Sequence, residues 1–203
     1  MNGIAWAIVA LGIGVVVVRR RSVAVGLVTA QALLLAAAAF AEGTSLDAAV
    51  AAAALALRGA VLAALFLFLV RRTRETRPMR AGVAPLARAA AAVALALTLI
   101  WLIPPIGLDS LAAERATLTL VAIGLVTAAT RRATLFQVLG IVLVENGLAL
   151  AALSLPGTSS LAIEIGVAVD LLLIALVAGV FHERIFAEFG AGETTALRSL
   201  RDN

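Results

Sequence analysis

The chain has no cysteine, lysine or tyrosine, and its only histidine is His182. Without cysteine there can be no disulfide, iron–sulfur ligation or thiolate metal site. A lone histidine cannot assemble a zinc site or hold a pair of haems. No phosphate-binding glycine loop and no nucleophile set beside a base is present, so no soluble enzyme site, metal or cofactor of the chain's own is expected. Charge is also scarce. Charged residues make up 14% of the 203 residues against 63% hydrophobic ones, with a mean hydropathy of +1.11, which excludes an ordinary soluble domain.

Apolar runs of 15 to 25 residues recur between short polar breaks. The runs are continuous and do not alternate, so they predict helices and not the strands of a barrel. The fold class expected is all-α, a polytopic membrane protein of about seven transmembrane helices. The spans are Ile4–Val18, Ser22–Ala41, Leu46–Val70, Leu86–Ile103, Ala116–Thr130, Ala133–Leu155 and Leu161–Phe181. Residues 1–189 form the bundle and 190–203 a cytoplasmic tail, separated at Gly190-Ala191-Gly192.

Arginine supplies all the basic charge, and its placement tests the span count. With seven spans, residues 19–21, 71, 72, 74, 77, 80, 88, 131, 132, 184, 198 and 201 fall on one side, Arg115 falls on the other, and Arg58 lies within a span. The positive-inside rule then predicts the N-terminus outside and the C-terminus in the cytoplasm of a plasma membrane. Trp6 and Trp101 fall near the outer interface. Met1-Asn2-Gly3 is no basic n-region, and Arg19-Arg20-Arg21 follow the first apolar run, so the first span is read as an inserted helix and not a cleaved signal. The run Arg71-Arg72-Thr73-Arg74-Glu75-Thr76-Arg77 reads as a topogenic loop binding anionic lipid, and a partner's acidic surface is the other reading.

Alanine faces at Ala36–Ala39, Ala49–Ala54 and Ala89–Ala92 are expected to let backbones approach closely; a GC-rich genome is the alternative source of the alanine. Gly43-Thr44-Ser45 recurs as Gly157-Thr158-Ser159. At that offset Gln31 falls on Glu145, and Arg58 falls within two residues of Asp170. Spans one to three and five to seven therefore read as a parallel repeat, unless the match is chance in alanine-rich sequence.

Polar residues midway along apolar spans carry the functional reading. Gln31, Arg58, Glu145 and Asp170 share one mid-membrane layer. An ionised side chain there costs about 2.5–3.5 kcal/mol on insertion scales, so it must face a bundle interior or an aqueous path. Arginine keeps its proton, so Arg58 is expected to face one of the two carboxylates. One fixed cation with two titratable carboxylates fits a proton relay; a satisfied charge cluster that fixes helix register is the rival. Asn146 is expected to make a helix-to-helix hydrogen bond. Glu164 lies six residues before Asp170, a rotation of roughly 240°, and reads as an access-path residue or an interfacial anchor. His182 reads as a helix-end cap.

The stretch from Leu135 through Glu145-Asn146-Gly147, followed by Glu164-Ile165-Gly166-Val167-Ala168-Val169-Asp170, resembles the E-type membrane subunit of hydrogenase-4 and related formate hydrogenlyase complexes. This half is also similar to the K-type subunit of respiratory complex I and the C-type subunit of multisubunit cation/proton antiporters. Gln31 and Thr195-Ala196-Leu197-Arg198 also fit. The family tends to have lysine where this chain has Arg58. The resemblance implies a membrane-arm subunit beside an antiporter-like proton channel, not catalytic on its own, with Glu145 and Asp170 matching its two mid-membrane carboxylates; Glu164 is counted with them on the proton path from its own position. Arg131-Arg132 resembles the basic loop preceding the first carboxylate helix. The implied partners are antiporter-like and other membrane subunits of a hetero-oligomeric complex, with a soluble hydrogenase module contacted indirectly. A sodium/proton antiporter without a redox module, and a purely structural subunit, are the alternatives.

Overall fold

The computed structural model describes residues 2–41, 46–72 and 83–155, together with Gly179. Six helices account for nearly all of them: α1 Asn2–Val17, α2 Arg21–Ala41, α3 Leu46–Arg72, α4 Pro85–Leu102, α5 Leu111–Thr130 and α6 Thr134–Leu153. No β-strand occurs among the described residues. Five of the helices are long and apolar enough to cross a membrane. The sixth, α1, has 16 residues and spans about 24 Å, short of a hydrocarbon core of about 30 Å. The expected seventh span, Leu161–Phe181, the tail and both copies of the Gly-Thr-Ser motif lie outside the described residues.

One boundary differs from the sequence expectation. The fifth helix starts at Leu111, five residues before Ala116, and takes Glu114 and Arg115 into its first turns. Ser110 is the reason: its hydroxyl accepts the Ala113 backbone N–H at 3.1 Å, and Glu114 places a carboxylate at the positive helix end. Hydropathy alone begins a span where charge stops. The cap begins it earlier.

Helix pairs form in the order α5 on α6, α2 on α3, α4 on α5, and α1 on both α5 and α2, with α2 reaching across to α6. Connections of a few residues make α1 and α2, α2 and α3, α4 and α5, and α5 and α6 antiparallel. Asp109 N–H donates to the Ser154 carbonyl at 2.8 Å and ties the α4–α5 connection to the end of α6. The opposite end gathers Arg19, Arg20, Arg21, Arg71, Arg72, Arg88, Arg131 and Arg132. Trp6 and Trp101 sit away from that end, 48% and 86% exposed.

The tightest seam is made by glycine. A Cβ on Gly124 would lie 2.5 Å from the Gly140 carbonyl oxygen, and one on Gly140 would lie 2.6 Å from the Ala128 nitrogen. The α5 and α6 backbones therefore touch without side chains between them. Between α2 and α3, a Cβ on Gly59 would meet the Ala32 Cβ at 2.7 Å. The expected alanine faces contribute buried positions at Ala36, Ala38, Ala39, Ala51, Ala52 and Ala92, but the closest approaches need the missing Cβ.

Candidate functional site

Four helices each send one or two groups into a buried polar chain. Glu145 and Asn146 are consecutive in α6, so they stand about 100° apart on the helix and flank a single guanidinium. Arg58, from α3, donates through Nη1 to Glu145 Oε1 at 3.2 Å and through Nη2 to Asn146 Oδ1 at 2.7 Å. Asn146 Nδ2 donates to Gln31 Oε1 at 3.2 Å. Gln31 Nε2 then donates to the Ile8 carbonyl of α1 at 2.7 Å.

The direction of this chain is forced from one end. A guanidinium only donates, so Asn146 must turn its oxygen to Arg58 and its amide nitrogen to Gln31. Gln31 then has only its nitrogen left to offer α1. A helical carbonyl has a second lone pair, which lets Ile8 accept outside its own helix. Gly12 makes room, since a Cβ there would stand 3.2 Å from Gln31 Nε2. Gln31 and Asn146 are fully buried, and Arg58 and Glu145 nearly so. In a medium without water each such bond avoids the loss of a group's whole hydration, which is why these residues cluster.

Arg58 is the long arm of the arrangement. Its helix makes no extended backbone contact with α6, so the side chain spans the gap. Its Nε has no hydrogen-bond partner among the described residues. A cavity of about 10 Å³ lies beside it, bordered by Thr29, Gly59, Val142 and Asn146. That is at the lower limit of space for one water molecule.

Of the expected mid-membrane residues, Gln31, Arg58 and Glu145 meet, and Asn146 joins α6 to both α2 and α3. Asp170, Glu164 and His182 lie outside the described residues. Among the described residues no three His, Asp or Glu side chains gather as metal ligands. Ile8 and Gly12 were not singled out in the sequence, because a carbonyl acceptor and an absent side chain leave no polar signature in an apolar run.

Arg131 and Arg132 part company. Arg132 is exposed. Arg131 is buried and turns Nη2 onto the carbonyls of Val15 at 3.3 Å and Val16 at 3.0 Å, and onto that of Val18. Its guanidinium lies over the Phe136 ring, 4.0 Å from the centroid. The last carbonyls of α1 have no partners within their own helix and mark its negative end, which suits a cation. Burial, then Arg88, then Arg19 push the Arg131 guanidinium down to about 10, so it stays cationic at neutral pH.

No protein-family model matches the chain, and no solved structure does. A relative is the uncharacterized protein Rv0085 of Mycobacterium tuberculosis, 33% identical over 87 residues. The match covers 43% of this chain and 40% of that protein. It brings no activity with it, so the chemistry rests on the site itself.

Proposed function

We propose that the chain is a multi-pass plasma-membrane subunit, N-terminus outside, of a group-4 hydrogenase-like or complex-I-like assembly, and that it helps couple redox chemistry in other subunits to proton movement. The observation that carries this reading is the buried Arg58–Glu145 ion pair, extended through Asn146 and Gln31 to α1. An intramembrane ionisable pair is a functional site by default. A proton arriving at Glu145 would cancel one charge and leave Arg58 cationic. The Asn146 oxygen keeps hold of the guanidinium through that change, and the small cavity beside it leaves room for a hydrated step. Arginine sets the field here; Glu145 exchanges the proton, with Asp170 and Glu164 continuing the path.

The experiment is proton pumping in sealed vesicles, normalised to assembled complex. Glu145→Gln keeps size and hydrogen-bonding reach and removes ionisation, so it should leave assembly near normal and abolish most coupled pumping. Glu145→Asp should retain part of it. Normal pumping by fully assembled Glu145→Gln would overturn the relay. The bidentate hold on Arg58 favours a second reading, a non-conducting subunit whose polar chain fixes helix register; there Gln is tolerated and Asp is as harmful or worse. Co-purification separates the assemblies: a nickel–iron or quinone-binding module supports the first, antiporter subunits alone the sodium/proton alternative.

A further inference from the structure

The arginine-rich end of the bundle holds a second polar cluster that the proton reading leaves unused. Arg88 stands in the first turns of α4 and is 2% exposed. Among the described residues its Nε and Nη2 have no hydrogen-bond partner, nor has Nε of the buried Arg131. The two belong to one place. Arg131 grips the carbonyls of Val16 and Val18, and Arg19 follows directly, while Val16 and Ala89 border the same groove. Among the residues whose side chains are described, the acidic ones are Asp109, Glu114 and Glu145. The first two stand at the opposite end and the last is mid-bundle, so none of these three neutralises this cluster. Buried cations with unused donors call for an anion.

We infer that Arg88 and Arg131, with Arg19, bind the phosphate of an anionic phospholipid whose acyl chain lies in the groove between α1, α4 and α5. That groove has a volume of about 350 Å³ and is lined by Ile13, Ala89, Ala92, Val93, Leu97 and Ile100 among others. From Ala89 to Ile100 it follows α4 for about 16 Å, close to one leaflet of a hydrocarbon core of about 30 Å. Apart from Arg115 and Thr119, at the end of the groove far from Arg88, its lining is apolar, which suits a hydrocarbon tail. The planar donor array of arginine matches phosphate oxygens. The N-terminus of α4 adds to this. Ala84 provides no side-chain cap and Pro85 opens the helix, so free N–H groups and the positive dipole end point the same way. The site uses none of the arginines between 71 and 77, and it stands whether or not Glu145 relays protons.

The full chain, purified in neutral detergent, should be measured by native mass spectrometry and thermal unfolding with added phosphatidylglycerol, phosphatidylcholine or inorganic phosphate. One phosphatidylglycerol should remain bound and raise Tm; phosphatidylcholine and inorganic phosphate should not. Arg88→Gln should weaken phosphatidylglycerol binding at least about tenfold, the worth of one charged hydrogen bond, whereas Arg20→Gln on the surface should change it little. Lipid-free Arg88→Gln should melt no lower than the parent, because it removes an uncompensated buried cation. Val93→Trp, at an exposed position of the groove, should weaken binding of long-chain phosphatidylglycerol with Arg88 intact. Equal stabilisation by inorganic phosphate would overturn the lipid assignment. So would a lipid-free Arg88→Gln that melts well below the parent and keeps its full response to phosphatidylglycerol, which would mark Arg88 as structural.

Discussion

Arg58 is held by two different acceptors, a carboxylate and an amide, and each answers differently to substitution. Arg58→Ala removes the cation that donates to Glu145 Oε1 and to Asn146 Oδ1 and should destabilise the fold by about 3–5 kcal/mol. Arg58→Lys keeps the charge and loses the planar fork; it can serve Glu145 or Asn146 but not hold both in the same geometry, and should cost about 1.5–3 kcal/mol, one charged hydrogen bond. Unfolding of the purified protein in mixed micelles measures both, and equal losses would show that charge contributes nothing. Asn146→Leu should also be costly, because it strands Gln31 Oε1 and Arg58 Nη2 together; about 1–3 kcal/mol for each stranded group is the scale. At this scale the sequence was informative where a side chain breaks an apolar run, as Gln31, Arg58 and Glu145 do. It was silent on the far end of the chain, because the Ile8 acceptor belongs to the backbone.

Helices that are apolar all round give no stripe from which to read a facing partner. Length and hydropathy thus placed the helices, while which face meets which neighbour had to come from the structure. The Gly124–Gly140 contact shows why: it is selected by the absence of a side chain, not by any polarity contrast. Gly140→Val should separate α5 from α6 and displace Glu145 and Asn146 one to two turns further along. A marked loss of stability is the expected outcome, read by micelle unfolding, and, on the proposed reading, a loss of coupled pumping in vesicles. Gly26→Ala is the matched control. Nothing lies within 4 Å of a Cβ at Gly26, so the substitution should be neutral or gain up to about 1 kcal/mol from helix propensity. Ser110 makes the same point about boundaries: the start of α5 was set by a hydroxyl outside the apolar run.

For the molecule as a whole, the arrangement of arginines predicts which end meets the cytoplasm, and the absence of native cysteine makes the test clean. In intact cells Ile106→Cys, in the exposed connection between α4 and α5, should react with a membrane-impermeant maleimide. Ser22→Cys, exposed at the arginine-rich end, should react only after the membrane is opened. The reverse pattern would invert the topology and the leaflet assigned to the lipid site with it.

The grip of Arg131 on α1 has a consequence for how the chain is made. Helix α1 is short for a bilayer, and its last carbonyls find their donor in a residue that leaves the ribosome more than a hundred positions later. Until Arg131 arrives, α1 carries unsatisfied backbone at its end and is held against α2 by apolar packing and the amide of Gln31. Helix α1 is therefore synthesised well before it is secured. Its retention in the membrane becomes a report on whether α5 and α6 have already paired.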